Sequence, residues 1–150
     1  MPYLIVITLL FSSFVGCSQG LKVDRKKSFS RLELAKDYLR RNQLDRLEAA
    51  KSEALRALKY DPESEEAYNI LGLVEFLHGV QNVRLREVEE CLTGVDADVL
   101  RDEFQNHMTT AEKHFAKAVL LAPDYGEAWA NRGIVTIQLL DFSKAREYLT

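Results

Sequence analysis

Between Ala111 and Gly133 the chain reads AEKHFAKAVLLAPDYGEAWANRG, and this stretch restricts the fold more than any other. Ala111, Phe115 and Ala118 recur at spacings of four and three, which sets them on one helix face. Pro123 ends that helix, because its ring disfavours helical geometry at Ala122 and it has no N–H to donate. Asp124 with Glu127 reads as a capping box that opens a new helix. On that helix Trp129 and Gly133 stand four apart, a large residue beside a gap that admits a neighbour. The motif is helix, sharp corner, helix.

The same grammar extends in both directions. Ser30 with Glu33 reads as a first capping box, followed by an apolar face of Leu34, Ala35, Tyr38 and Leu39 that ends near Asn42. Asp45 with Glu48 opens a second helix, whose stripe of Leu47, Ala50, Ala54, Ala57 and Leu58 runs up to Pro62. Ser64 caps a third, with Tyr68, Leu71, Gly72 and Phe76 on its packing face. Asp141 caps a last helix that carries Ala145 and Leu149. With seven glycines and three prolines in 150 residues, the chain is expected to be all-α. Its 47% hydrophobic content suffices for one core. A net charge of −3 argues against a nucleic-acid partner.

The N-terminus has a different character. Tyr3 to Phe11 is an apolar run of signal-peptide length, too short to span a bilayer comfortably, and it leads into Ser12-Ser13-Phe14-Val15-Gly16-Cys17. Small residues before a cysteine resemble a bacterial lipobox, in which residues 1–16 are a signal peptide and Cys17 carries the lipid. No Lys or Arg precedes Cys17, and Phe14 stands where leucine is usual. Ser18, rather than an aspartate, points by analogy to an outer-membrane protein facing the periplasm. Residues 17–29 then read as a polar, basic tether.

Tyr68-x2-Leu71-Gly72, Ala111-x3-Phe115-x2-Ala118-x4-Pro123, and Trp129-x3-Gly133 with Ala145 resemble the tetratricopeptide repeat. Leu34, Ala35, Tyr38, Ala50, Ala57 and Pro62 fit an earlier copy. The resemblance implies a solenoid of helix-turn-helix pairs over residues 30–150: repeats at about 30–63, at about 64–124, and a truncated one at 125–150. Such an array needs a polar capping end, and none is evident in the sequence. Gly72 to Ala111 is 39 residues where the repeat has 12, so 27 residues are inserted, at about 79–106. Helical spacing persists through Val80, Val88, Val99 or Leu100, Phe104 and Met108. The expectation is therefore a hairpin that lengthens both helices of the second pair, with its tip near Gly94 and a return helix from about Ala97 to Leu121. Gly79 with Asn82 is the alternative, a break in the outgoing helix. Arg84 to Glu103 holds three arginines against seven acids, whereas residues 22–59 hold twelve bases against six acids. The chain is electrically polarised, which suits a partner contact on a protruding hairpin.

A metal centre has one candidate, Glu103, His107 and His114, spaced four and seven apart on one helix. Cys91 with His107 is a second pairing of reactive types, but no oxyanion or orienting motif accompanies it. No glycine-rich phosphate loop is present, so neither catalysis nor a cofactor is expected. The repeat resemblance implies instead a concave surface lined by the first helix of each pair, placing Phe29, Lys36, Asn69, Leu73, Phe76, Asn131, Ile134 and Ile137 in a peptide-binding groove. Of these, Leu73 and Ile134, with Leu39, read equally well as core between repeats.

A lipobox followed by such repeats resembles the Tgl/PilW/PilF group of outer-membrane lipoproteins, which act as pilotins for the secretin of the type IV pilus. The AEKHF run, the NRG segment after the proline and the CLTGVDAD stretch from Cys91 to Asp98 add to that likeness. It implies a non-enzymatic protein that binds secretin subunits and helps them assemble. A lipoprotein scaffold that recruits envelope enzymes, such as murein hydrolases or a protease, shares all these sequence features.

Overall fold

The computed structural model of the chain describes residues 22–41, 44–89 and 94–150; Cys17 and Cys91 lie outside them. Six helices follow one another, with no strand among the described residues: α1 (Arg25–Arg41), α2 (Leu44–Tyr60), α3 (Glu65–Glu89), α4 (Gly94–Leu121), α5 (Gly126–Gln138) and α6 (Phe142–Tyr148). They form three hairpins, α1 with α2, α3 with α4, and α5 with α6. Contacts of α2 with α3 and of α4 with α5 join the hairpins, while α1, α3 and α5 also touch in series. The fold is all-α, as composition and spacing indicate.

Two of the expected starts are real caps. Ser64 Oγ accepts from the Ala67 N–H at 3.2 Å, and Asp141 Oδ1 from the Lys144 N–H at 3.3 Å. Each meets one of the unpaired donors of a first turn. Two others are not. The first helix begins at Arg25, five residues before Ser30, because Asp24 Oδ1 takes the Lys27 N–H at 3.1 Å. Ser30 is inside the helix, bonded to the Lys26 carbonyl, and Glu33 pairs with Lys36. Residues 25–29, read from sequence as tether, are thus the first turn of α1. Nor does Asp124 form a box with Glu127: α5 starts without a side-chain cap, and Glu127 reaches across to Asn69.

The long hairpin is present. α3 runs 25 residues straight through Gly79 and Asn82, and α4 runs 28, from Gly94 rather than Ala97, or about 42 Å at 1.5 Å per residue. Gly79 breaks nothing. A Cβ there would lie 2.7 Å from Met108 Cε, so its bare backbone is what lets α4 approach. Of the alternatives at 99 and 100, Leu100 is buried and Val99 is exposed.

The core is a chain of three clusters, one at the α2–α3 junction and two along the α4–α5 junction. Leu32, Ala35, Leu47, Ala54, Ile70 and Val74 hold α3 on the first hairpin. Met108, Ala111, Phe115 and Val135, flanked by Leu73, Phe76 and Leu139, bind α5 to the second. Ala118, Val119 and Ala128 close the Pro123 corner, with Tyr68, Tyr125 and Trp129 around them. Trp129 sits in a different cluster from Phe115, and its indole N–H donates to the Pro123 carbonyl at 2.9 Å. Both signature glycines are filled from the paired helix. Cβ atoms on Gly72 and Gly133 would stand 2.5 Å from Phe115 Cε1 and from Leu149 Cγ.

Candidate interaction surface

The odd-numbered helices share one face, and polar ties cross it. On α1, Lys36 Nζ bonds Glu33 at 2.9 Å and Glu66 of α3, and these bonds, Glu66 first, raise its pKa. Asn69 of α3 donates both amide protons to α5 and its approach, to Glu127 Oε1 at 3.0 Å and the Tyr125 hydroxyl at 3.1 Å. Its carbonyl accepts from Asn131 Nδ2 at 3.0 Å. Asn69 is almost wholly buried. A buried amide with both donors used has nothing left to offer a peptide, so Asn69 is a tie between α3 and α5 and not an exposed groove residue. Burial, then the neighbouring Glu127 and Glu66 carboxylates, push the Tyr125 phenol up to about 12.

The apolar candidates divide by position. Leu73 and Phe76 are half-buried and packed on the Phe115 cluster. At the two ends the residues are open: Phe29 is 58% exposed, Ile134 44% and Ile137 39%. Leu39, by contrast, packs on the first cluster, so of the three residues read as groove or core only Ile134 is surface. Phe29 borders an open cleft of about 1090 Å³ between the start of α1 and the α2–α3 corner, which Leu32, Glu63 and Glu66 also line.

The metal candidates do not come together. His107 Nδ1 lies 2.9 Å from Glu75 Oε2, while His114 stacks on Tyr68 with ring centroids 6.4 Å apart. No group of three metal-ligating side chains forms among the described residues. Around His107 stands instead a charged cluster with no local sequence signal, because it joins α2, α3 and α4. Lys51 Nζ bonds Glu75 Oε1 at 2.7 Å, His78 stacks on His107 at 5.9 Å, and His78 Nε2 lies 3.1 Å from Glu48 Oε1 without hydrogen-bond alignment. Burial works against the Glu75 charge, yet the bonds from Lys51 and His107 prevail and hold its pKa below the usual value. Burial lowers the pKa of His78 and of His114. The cluster ties three helices at one level of the hairpin.

A last tie joins the second hairpin to the third. Arg132 of α5 grips Glu112 of α4 through Nε at 2.9 Å and Nη2 at 2.8 Å, and its guanidinium lies 4.1 Å from the Tyr148 ring centroid. No helix among the described residues is long and apolar enough to cross a membrane. No protein-family model matches this chain, and no curated protein matches it.

Proposed function

We propose that the protein is a tetratricopeptide-type, lipid-anchored binding module that assists assembly of the type IV pilus secretin at the outer membrane. The observation that carries the reading is the apolar surface left on the odd-numbered helices, Phe29 at one end and Ile134 and Ile137 at the other. Exposed bulky side chains on a helix face suit capture of a partner segment. Support for the repeat arrangement comes from the duplicated contact of Gly72 with Phe115 and of Gly133 with Leu149. The two spacings, 43 and 16 residues, differ by the 27 inserted residues. In this reading acyl chains on Cys17 hold the helices at the membrane, where a captured secretin segment gains local concentration.

Deleting the gene and blotting for heat-resistant secretin multimers tests the reading. Loss of multimers is expected, and restoration by the intact gene but not by Cys17→Ser. Unchanged multimers would sink the secretin assignment; co-purification of a murein hydrolase instead would favour the scaffold.

A further inference from the structure

The cleft of about 1090 Å³ beside Phe29 lies among α1, the α2–α3 corner and the end of α4. Its lining divides by chemistry. Phe29 and Leu32 of α1, with Pro62 and Leu121, are apolar, whereas Asp61, Glu63, Glu65 and Glu66 are acidic. The acids are not equally engaged. Asp61 lies 3.7 Å from Arg25, and Glu66 pairs with Lys36. Glu63 and Glu65 have no ion pair among the described residues.

Acids in a first turn complement the helix dipole, which by itself accounts for Glu65 and Glu66. It does not account for Glu63, which comes before the Ser64 cap. Nor does it account for the other side of the cleft. There α4 finishes at Leu121, with no base in its last turn to offset the negative carbonyl end. Two carboxylates and a helix C-terminus thus border one cleft, and all of them favour a cation.

Ser28 is a second and independent sign. It lines the cleft at only 3% exposure, and its hydroxyl has no hydrogen-bond partner. The hydroxyls of Ser30 and Thr110 bond the carbonyls four places back, whereas that of Ser28 does not. A buried hydroxyl left this way costs stability that a bond from a ligand would restore.

We propose that this cleft receives an extended segment of a partner protein in which Lys or Arg alternates with bulky apolar residues. Successive side chains of an extended chain point to opposite sides, so such a segment meets both parts of the lining. Its base lies at Glu63 and Glu65, its apolar side chains cover Phe29 and Leu32, and a backbone group meets the Ser28 hydroxyl. A free polyamine would satisfy the acids but leave Phe29 uncovered. The inference rests on the protein-binding reading above and gives the captured segment its chemistry.

The probe is the fluorescein-labelled peptide GSRLKFRLGS, titrated with the full chain by fluorescence anisotropy. Saturable binding is expected that weakens as salt rises from about 0.05 to about 0.5 M. The matched acidic peptide GSELDFELGS should not bind. Glu63→Gln with Glu65→Gln, and separately Phe29→Ser, should each weaken binding about tenfold. Ile137→Ser, at the far end, should leave it unchanged. Ser28→Ala removes a stranded hydroxyl, so its urea midpoint should hold or rise while affinity falls about threefold. Unchanged circular dichroism checks the fold of each variant. Equal binding of the two peptides, or equal affinity in all variants, overturns the inference. So does a photocrosslink from a benzophenone side chain in place of Phe29 to the chain's own first 21 residues or to a second copy. Either would then be the occupant. Loss of secretin multimers on gene deletion with a peptide that fails to bind leaves the functional reading standing and removes this one. Unchanged multimers with the peptide bound as described remove the secretin assignment and keep the cleft.

Discussion

The ring of Phe115 occupies the space that a side chain on Gly72 would need, with Cε1 2.5 Å from a Cβ placed there. Phe115 is almost wholly buried and has nowhere to go. Gly72→Ala gains about 1 kcal/mol of helix propensity but forces overpacking that costs about 1–3 kcal/mol. Net destabilisation is expected. At Gly133 the obstacle is Leu149, half exposed and free to swing outward, so Gly133→Ala should be neutral or stabilising. Urea midpoints of the two variants check the contrast, and equal shifts would contradict it.

Asn69→Leu leaves Glu127, Asn131 and the Tyr125 hydroxyl without their shared partner. A loss of about 1–3 kcal/mol is expected from the stranded polar groups. A double-mutant cycle with Asn131→Ala should show coupling above about 0.5 kcal/mol, since the two amides bond directly.

Acidification should destabilise the packing around His78 and His114. His78 and His114 have pKa values depressed below the ordinary 6.5 by burial. A depressed value means that the folded state disfavours the imidazolium, so their contribution is present above pH 6.5 and is lost as pH falls below it. Glu75, also depressed, contributes above its ordinary 4.5 and fails only at lower pH. The urea midpoint should drop between about pH 7.5 and pH 5. Replacing both histidines by Gln should flatten that drop.

Tyr125 should resist deprotonation by base. Its phenol is raised to about 12, so the stability it contributes is whole below the ordinary value of 10 and disappears between 10 and 12. Absorbance titration near 295 nm should show a late step that Tyr125→Phe removes.

Leu140 holds φ 61°. Leu140→Gly should stabilise the chain by up to about 1 kcal/mol, since a left-handed residue costs about 1–2 kcal/mol without glycine and the added chain freedom offsets part of that. The turn itself should survive. Leu140 N–H to the Ile137 carbonyl and Asp141 N–H to the Thr136 carbonyl, both 2.9 Å, depend only on backbone.

Much of the helical order was legible because it is local. Pro62 and Pro123 mark their corners whatever surrounds them, and the apolar spacing through Phe104 and Met108 runs along α4 without a break. Capping boxes were less trustworthy. Ser30 and Asp124 each have an acid three places on, but a box forms only where the chain also turns there. Asp24 had already started α1, and Glu127 found a better partner in Asn69. That tie illustrates what the sequence hides: Asn69 and Glu127 are 58 residues apart, and nothing local distinguishes a buried interhelical amide from an exposed one. The Lys51–Glu75–His107 cluster was invisible for the same reason, and the i, i+4 spacing of Glu103 and His107 drew attention to the wrong partner.

The unbroken α4 belongs to two cores at once, through Met108 and Phe115 in the middle and Ala118 and Val119 at the corner. A helix is stiff in torsion, so these contacts cannot be reset one at a time. Any load that twists the far arm of the hairpin must be taken up at the Pro123 elbow or shear the seat of α5. The long α3–α4 hairpin is therefore coupled rigidly to the corner at Pro123.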